Sequence, residues 1–336
     1  MLRALAAAAA ALTFVPFAAQ AQAPPAFDGL KVIFCGTSGP LPVVDRAKPC
    51  TAIQAGGSLY LVDIGPEATE NLMRWRIPVA AAKAVFITHL HSDHIGDLGE
   101  FNMQSWVNGR PAALAVVGPA GVDKLAKGFN LAYENDHGFR KAHHDHDGIR
   151  FDIAAGLLTP KVVTIATTDG TMTAWKDGDL TVTAIRVHHD PIDPAFAYRF
   201  DYKGRSVVIS GDTVKWTPLA VAAKGADVLV HEAQKNAMTL QLSSALAGMG
   251  NARLSSIMAD TVTYHTEPVE AGDIARMAGV KALVLNHLTQ SGLPMFNAEA
   301  FAKGIEDGGK LDWRLAKDGM TIELPAGSPD IRFGSY

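Results

Sequence analysis

The segment His89-Leu90-His91-Ser92-Asp93-His94 places three imidazoles and a carboxylate within six residues. Imidazole nitrogen and carboxylate oxygen are borderline-to-hard ligands that suit Zn²⁺ and accept Mn or Fe. A short apolar run, Ala84-Val85-Phe86-Ile87-Thr88, comes directly before and reads as a buried strand. A loop leaving such a strand can fold back so that alternating side chains converge on one point. A polar loop rich in histidine by chance is the plain alternative. Three histidines and an aspartate directly behind a strand favour metal ligation over it.

Further ligand-type residues stand at later strand ends. In Ile185-Arg186-Val187-His188-His189 the period of two puts His189 on the face of Ile185 and Val187, and His188 on the polar face with Arg186. That geometry favours His189 over His188. Ser206-Val207-Val208-Ile209 leads into Ser210-Gly211-Asp212, where a glycine-assisted turn leaves Asp212 projecting. Taken alone, Asp212 is also an ordinary turn residue. Leu283-Val284-Leu285-Asn286 delivers His287 at a strand tip, where a lone histidine is more often structural. His231-Glu232 ends another apolar run, and His265-Thr266 precedes an alanine-rich helix. By themselves Glu232 reads as an exposed strand-end carboxylate and His265 as a helix-entry residue beside a cap at Thr266.

The elements that must position these groups follow in a regular order. Strands are expected near Leu30–Cys35, Ala52–Ala55, Leu59–Asp63, Ala84–Thr88 and Leu114–Val117, with helices over Pro66–Arg76, Ile95–Trp106 and Val122–Tyr133. The polar, histidine-rich stretch Asn135–Gly148 reads as a loop. Phe151–Ile209 is mostly strand. It is followed by a helix at Pro218–Lys224, a strand at Asp227–Val230, and a helix at Pro268–Ala278. A strand at Ala282–Leu285, a helix at Asn297–Asp307 and a strand near Met320–Leu324 complete the chain. Strands at the front of each half and helix–strand alternation at its end fit an α/β domain with two sheets face to face and helices outside. A doubly wound parallel sheet fits less well.

Met1-Leu2-Arg3, the apolar run Ala4–Ala19 and the small-residue sites Ala19-Gln20-Ala21 and Ala21-Gln22-Ala23 read as a cleavable signal peptide over residues 1–23. Residues 24–336 are then a single exported domain, periplasmic or secreted, with no other span-length apolar run. Hydrophobic residues at 48% can fill a sizeable core, and a net charge of −4 provides no long-range attraction for nucleic acid or an anionic membrane. Cys35 and Cys50 can pair in an oxidising compartment or remain buried thiols, and the sequence leaves both open. There is no CxxC pair, which excludes cysteine-rich structural zinc.

The H-x-H-x-D-H signature, with candidates for every later ligand in order, resembles the metallo-β-lactamase superfamily from Lys31 to about Leu324. The resemblance implies a four-layer αββα sandwich. It also implies one metal held by His89, His91 and His189 and a second by Asp93, His94 and His287, with Asp212 shared. Two divalent ions, zinc foremost, would hold a hydroxide as nucleophile, and Asp93 would orient it. The paired His231-Glu232-Ala233 and His265-Thr266, with Pro194-Ala195-Phe196-Ala197-Tyr198-Arg199, resemble the ribonuclease Z and arylsulfatase-like branch. That likeness implies His265 as leaving-group acid, supported by His231 and Glu232.

Two departures stand out. The branch's tRNA-processing members carry a Gly/Pro-rich arm and a lysine-bearing insertion, whereas Tyr198–Gly211 here reads as a bare hairpin. Asn135–Gly148 is acidic as well as histidine-rich, which suits an RNA backbone poorly. The expectation is therefore a secreted hydrolase of a small phosphodiester or sulfate ester, with no nucleic-acid or membrane partner and a homodimer allowed. A lactonase or β-lactamase is the neighbouring alternative, and a non-catalytic metal-binding or sensor protein the distant one.

Overall fold

β-Branched and aromatic runs make the strands, and glycine-bearing turns separate them. The computed structural model describes residues 27–293 and 296–336, so the expected leader lies outside the described residues. The chain opens on β1 (Gly29–Gly36), β2 (Cys50–Ala55) and β3 (Ser58–Val62), an antiparallel meander. Helix α1 (Ala68–Arg74), β4 (Ala82–Phe86), α2 (Ser92–Ile95), α3 (Leu98–Val107) and β5 (Leu114–Gly118) follow. Next come α4 (Val122–Ala132), α5 (Glu134–His144) and β6 (Leu158–Val162).

The second half contributes β7 (Thr171–Asp177), β8 (Leu180–His189), β9 (Ile192–Tyr202) and β10 (Arg205–Ile209). It continues through α6 (Thr217–Ala222), β11 (Val228–Ala233), α7 (Asn236–Gly248), α8 (Ala252–Asp260), α9 (Pro268–Ala278) and β12 (Ala282–Leu288). The last elements are α10 (Ala298–Ala302), β13 (Trp313–Leu315), β14 (Met320–Pro325) and β15 (Arg332–Ser335). One sheet runs β15-β14-β1-β2-β3-β4-β5-β6 and the other β13-β12-β11-β10-β9-β8-β7.

Period-two alternation divides the strands between layers. Phe34, Tyr60 and Phe86 of the first sheet meet Tyr198, Phe200 and Val230 of the second in the central core. Residues of the opposite parity bury under helices. Val85 and Ile87 pack with Leu72 of α1 and Phe101 of α3, while Leu229 and Leu283 pack with Leu219 of α6 and Ile274 of α9. The two sheets are thus face to face with helices on both outer faces, as expected from the element order.

The helices differ from the sequence expectation in three places. Asn135–Gly148 is mostly the helix α5, not a loop. Its first turn carries Glu134 and Asp136, its last turn Lys141, His143 and His144, and Arg140 pairs with Asp136 four residues back. Charge matched to the helix dipole supports a helix that has little apolar stripe. The helix expected over Asn297–Asp307 is confined to Ala298–Ala302. The helices α7 and α8, between β11 and His265, are absent from the sequence expectation; in α7 the apolar residues of Asn236–Gly248 are spread around the cylinder. Cys35 and Cys50 form a disulfide that ties β1 to β2 across a separation of 15 residues.

One buried ion pair links the sheets. Arg205 Nε donates to Asp227 Oδ2 at 2.9 Å, and Arg205 Nη1 reaches across to the Pro325 carbonyl of the other sheet at 3.0 Å. Asp227 also accepts from Ser206 N at 2.9 Å and from Lys281 Nζ at 2.7 Å. Burial raises the Asp227 carboxyl, but Arg205 and Lys281 outweigh burial and hold it below the usual range. A depressed folded-state pKa contributes stability above the unfolded carboxyl pKa, and that contribution fades as pH falls through the folded value. Asp227→Ala strands a buried guanidinium and should cost about 3–5 kcal/mol at pH 7. In denaturant unfolding, the wild-type advantage should shrink below about pH 4. An advantage constant from pH 7 to pH 3 refutes this account.

Candidate metal centre

The site lies where strands of both sheets end. Asp63, just after β3, has a φ of 58° and turns its carboxylate back towards the neighbouring strand end. It accepts from Thr88 N at 2.8 Å, from Thr88 Oγ1 at 2.8 Å and from His94 Nδ1 at 2.8 Å. The start of the histidine loop and the ring of its last histidine are therefore fixed by one buried group. Gly65 permits the close chain crossing this requires, since a Cβ there would lie 2.0 Å from the Asp93 carbonyl oxygen. Gly211 does the same for Asp212, with φ +59° and a Cβ that would meet the Phe196 carbonyl oxygen at 2.6 Å.

All seven ligand candidates from the sequence come together. Asp212 Oδ2 stands 3.3 Å from His287 Nε2, 3.4 Å from His94 Nε2, and 3.9 Å from both His89 Nε2 and His189 Nε2. Asp93 Oδ2 is 3.4 Å from His287 Nε2 and 3.6 Å from His94 Nε2. His91 Nδ1 stands 2.8 Å from His89 Nε2. The ligand atoms group as His89, His91 and His189, as His89, His94 and Asp212, and as Asp93, His94 and His287. His189 is 1% exposed and the His188 side chain 46%, the arrangement that alternation in β8 favours.

These residues fit divalent cations. His94 Nε2, His189 Nε2, His287 Nε2 and Asp212 Oδ1 are all buried without a hydrogen-bond partner among the described residues. Buried polar atoms rarely stay unpaired, and here they face one another. Burial pushes His189 down to about 4 and His89 well below the ordinary imidazole value, which leaves neutral rings with free lone pairs. Asp212 is raised by burial, yet His287 and His94 outweigh this and hold it well below the carboxylate range. Asp93 is likewise held down to about 2, because His94 and His287 outweigh its burial. His94, despite burial, is raised by Asp212, Asp93 and Asp63. A position that draws a proton in this way is one that a metal ion takes over.

The proton-transfer candidates adjoin the cluster. His265 Nδ1 donates to Glu232 Oε1 at 2.9 Å, and that oxygen also accepts from Thr213 N at 3.1 Å and Thr266 N at 3.3 Å. Burial lowers His265. His231 is fully buried and joins none of the ligand groups. Its Nδ1 donates to the Glu232 carbonyl at 2.8 Å, and burial holds it at about 4. Sequence reasoning missed two residues. One is Asp63, although Leu59–Asp63 has the same design as the histidine strands, an apolar run with a ligand-type tip. The other is Tyr264, whose carbonyl accepts from His189 Nδ1 at 2.9 Å.

Two facing sheets with a buried His/Asp cluster at their strand ends define a metal-dependent hydrolase of the β-lactamase fold. The family description "Beta-lactamase superfamily domain" matches residues 59–288. Ribonuclease Z of Mycobacterium bovis BCG Pasteur is 33% identical over 262 residues, covering 77% of this chain and 85% of the relative. Ribonuclease Z of Mycobacterium sp. KMS is 32% identical over 307 residues, covering 89% and 100%. The solved structure of the short form of human tRNase Z superposes with a TM-score of 0.62 at 21% identity, covering 88% of this chain and 99% of that one. A metallo-β-lactamase-fold protein of Bacillus subtilis gives 0.61 at 20%, covering 88% and 100%. The chain belongs to the metallo-β-lactamase superfamily, in its ribonuclease Z branch.

These relatives overturn one expectation. A small-molecule ester substrate with no nucleic-acid partner conflicts with relatives named for cleaving RNA and tRNA. Net charge does not decide a local contact, and the supposed acidic loop is a helix with paired charges.

The Asp63 contact gives a direct test of the centre. Asp63→Ala should weaken metal retention about 10–100-fold in competition with a chelator, because a histidine ligand loses its orienting carboxylate. Unchanged affinity in a folded variant would remove Asp63 from the site.

Proposed function

We propose that this protein is an exported, metal-dependent phosphodiesterase that hydrolyses RNA, with His265 as proton donor to the leaving alcohol. The observation that carries the reading is the Glu232–His265 pair set against the ligand cluster. Membership in the ribonuclease Z branch supports RNA as substrate. His89, His91 and His189 are assigned to one ion and Asp93, His94 and His287 to a second, with Asp212 shared. The nitrogen-and-carboxylate set favours zinc. When bound, such ions supply Lewis acidity, easing deprotonation of the attacking water and neutralising phosphate charge.

The chain's own groups do the rest. Glu232 accepts three hydrogen bonds on one oxygen, so its cradle fixes the His265 ring by Nδ1 and leaves Nε2 as the nitrogen that can hand over a proton. Burial, with the Asp212 charge, pushes the Glu232 carboxyl well above its usual range, so its part is to orient the ring. Asp93, beside His94 and His287, is poised to accept a hydrogen bond from the attacking water. His231 acts only through the Glu232 backbone and is a positioning residue. The leader at residues 1–23 supports export.

Two measurements test the reading. His265→Ala should lower kcat on an RNA phosphodiester roughly 10²–10⁴-fold, with little change for a nitrophenyl leaving group that needs no proton. Equal losses on both substrates would discard the acid role, and no RNA cleavage by the zinc-loaded wild type would discard the substrate. For export, fractionation of the producing cells should recover a chain lacking its first 23 residues outside the cytoplasm. A full-length chain retained inside rules the signal peptide out.

A further inference from the structure

The helix α5 buries a single side chain, that of His137. Its ring is 1% exposed and stands edge-on to Trp106 of α3, with centroids 4.9 Å apart and planes at 70°. Gly156 makes room for it, since a Cβ there would lie 2.9 Å from His137 Cδ2. Met103, Trp106, Phe151 and Ala155 form a small apolar cluster of their own here, separate from the main cores. The other ties of α5 are polar and sit at its far end. Lys141 Nζ donates to the Phe151 carbonyl at 3.1 Å, and Phe151 N donates to Asp145 Oδ1 at 3.3 Å. The one side chain that packs this helix onto the body is therefore ionisable, and the proposed reaction makes no use of it.

Both ring nitrogens are buried without a hydrogen-bond partner among the described residues. A neutral imidazole tolerates this at modest cost, but an imidazolium with unanswered donors does not. The charges around the ring are already engaged. Asp136, on the same helix, pairs with Arg140 at 2.9 Å, and His144 has its ring 5.8 Å from that of Phe151. The one charged residue of α3, Glu100, accepts from Gln104 Nε2 at 2.7 Å. Arg110, after α3, is a buried cation whose donors go to Ser105 Oγ at 3.0 Å and Asn102 Oδ1 at 2.6 Å. The turn Ile153–Gly156 brings Asp152, whose carboxylate accepts from Ala154 N at 2.9 Å. Tyr133, at the end of α4, is a phenol that burial keeps neutral. Burial lowers His137 from the ordinary imidazole value, outweighing the Gly156 carbonyl, Asp136 and the Tyr133 carbonyl, which favour the charged ring.

We propose that His137 is an acid-sensitive latch: the neutral ring docks α5 on Trp106, and proton uptake releases the helix and bares part of the apolar cluster beneath it. Docking is at full strength above the ordinary imidazole value, where the docked and released rings are both neutral. It weakens as pH falls from there towards the lowered value, because the released ring takes up the proton first. One proton changes such an equilibrium by at most about tenfold per pH unit.

Hydrogen exchange of the zinc-loaded full chain, read by mass spectrometry at about pH 7.5 and about pH 5.5 and corrected for the intrinsic rates, tests the latch. Protection of the α5 amides should fall roughly three- to tenfold at the lower pH, while the amides of β10 keep theirs. In His137→Leu and His137→Phe the protection of α5 should be the same at both pH values, and His144→Gln should behave as the wild type. A wild-type α5 protected equally at both pH values overturns the latch. So does a fall that persists in the Leu and Phe variants, or one that β10 shares. Protection lost at the higher pH in both variants also overturns it, since docking would then need the ring nitrogens themselves.

Discussion

Everything in this protein is arranged around a buried convergence of polar atoms. Four imidazole nitrogens surround one oxygen of Asp212 at 3.3–3.9 Å, wider than good hydrogen bonds. No peptide would adopt this spontaneously. It persists because three of the ligand rings are held from behind. Asp63 holds His94, the Tyr264 carbonyl holds His189, and Thr88 Oγ1 lies 3.1 Å from His89 Nδ1. The two-sheet core is the rigid body against which these outer contacts brace, and a cation is the partner that the unpaired atoms fit.

The strand ends explain why so few residues suffice. Parallel pairing of β3 with β4, and of β10 with β11 and β12, brings several strands to a finish on the same side. Each contributes a polar tip after an apolar run: Asp63, His89, Asp212, Glu232 and His287. His287 has a φ of 48°, so β12 turns sharply as it delivers its ring. Such backbone strain at a ligand is held by the pairing on either side.

Much of this was legible in the chain. The histidine loop and the inward choice of His189 follow from spacing and alternation, which depend on local geometry, whereas Asp212 and His287 read as ligands only through the family resemblance. The Cys35–Cys50 bond was not decidable, because pairing depends on a distance that sequence does not encode. Asp63 escaped notice because it touches the centre only through another side chain. The helix α5 was misread because its stability comes from charge order, whereas periodicity detects apolar stripes. The helix α7 was missed for the complementary reason, an apolar surface with no single face.

That helical pair has a consequence of its own. It is inserted between Glu232 and His265, which hydrogen-bond to each other, yet it hangs from a closed neck. Gln234 N donates to the Thr266 carbonyl at 2.9 Å, Asn236 N donates to Glu267 Oε1 at 2.8 Å, and Lys235 pairs with Glu267 at 2.9 Å. Whatever lies beyond the neck leaves the spacing of Glu232 and His265 untouched, so the insert can change in length or surface without moving that pair.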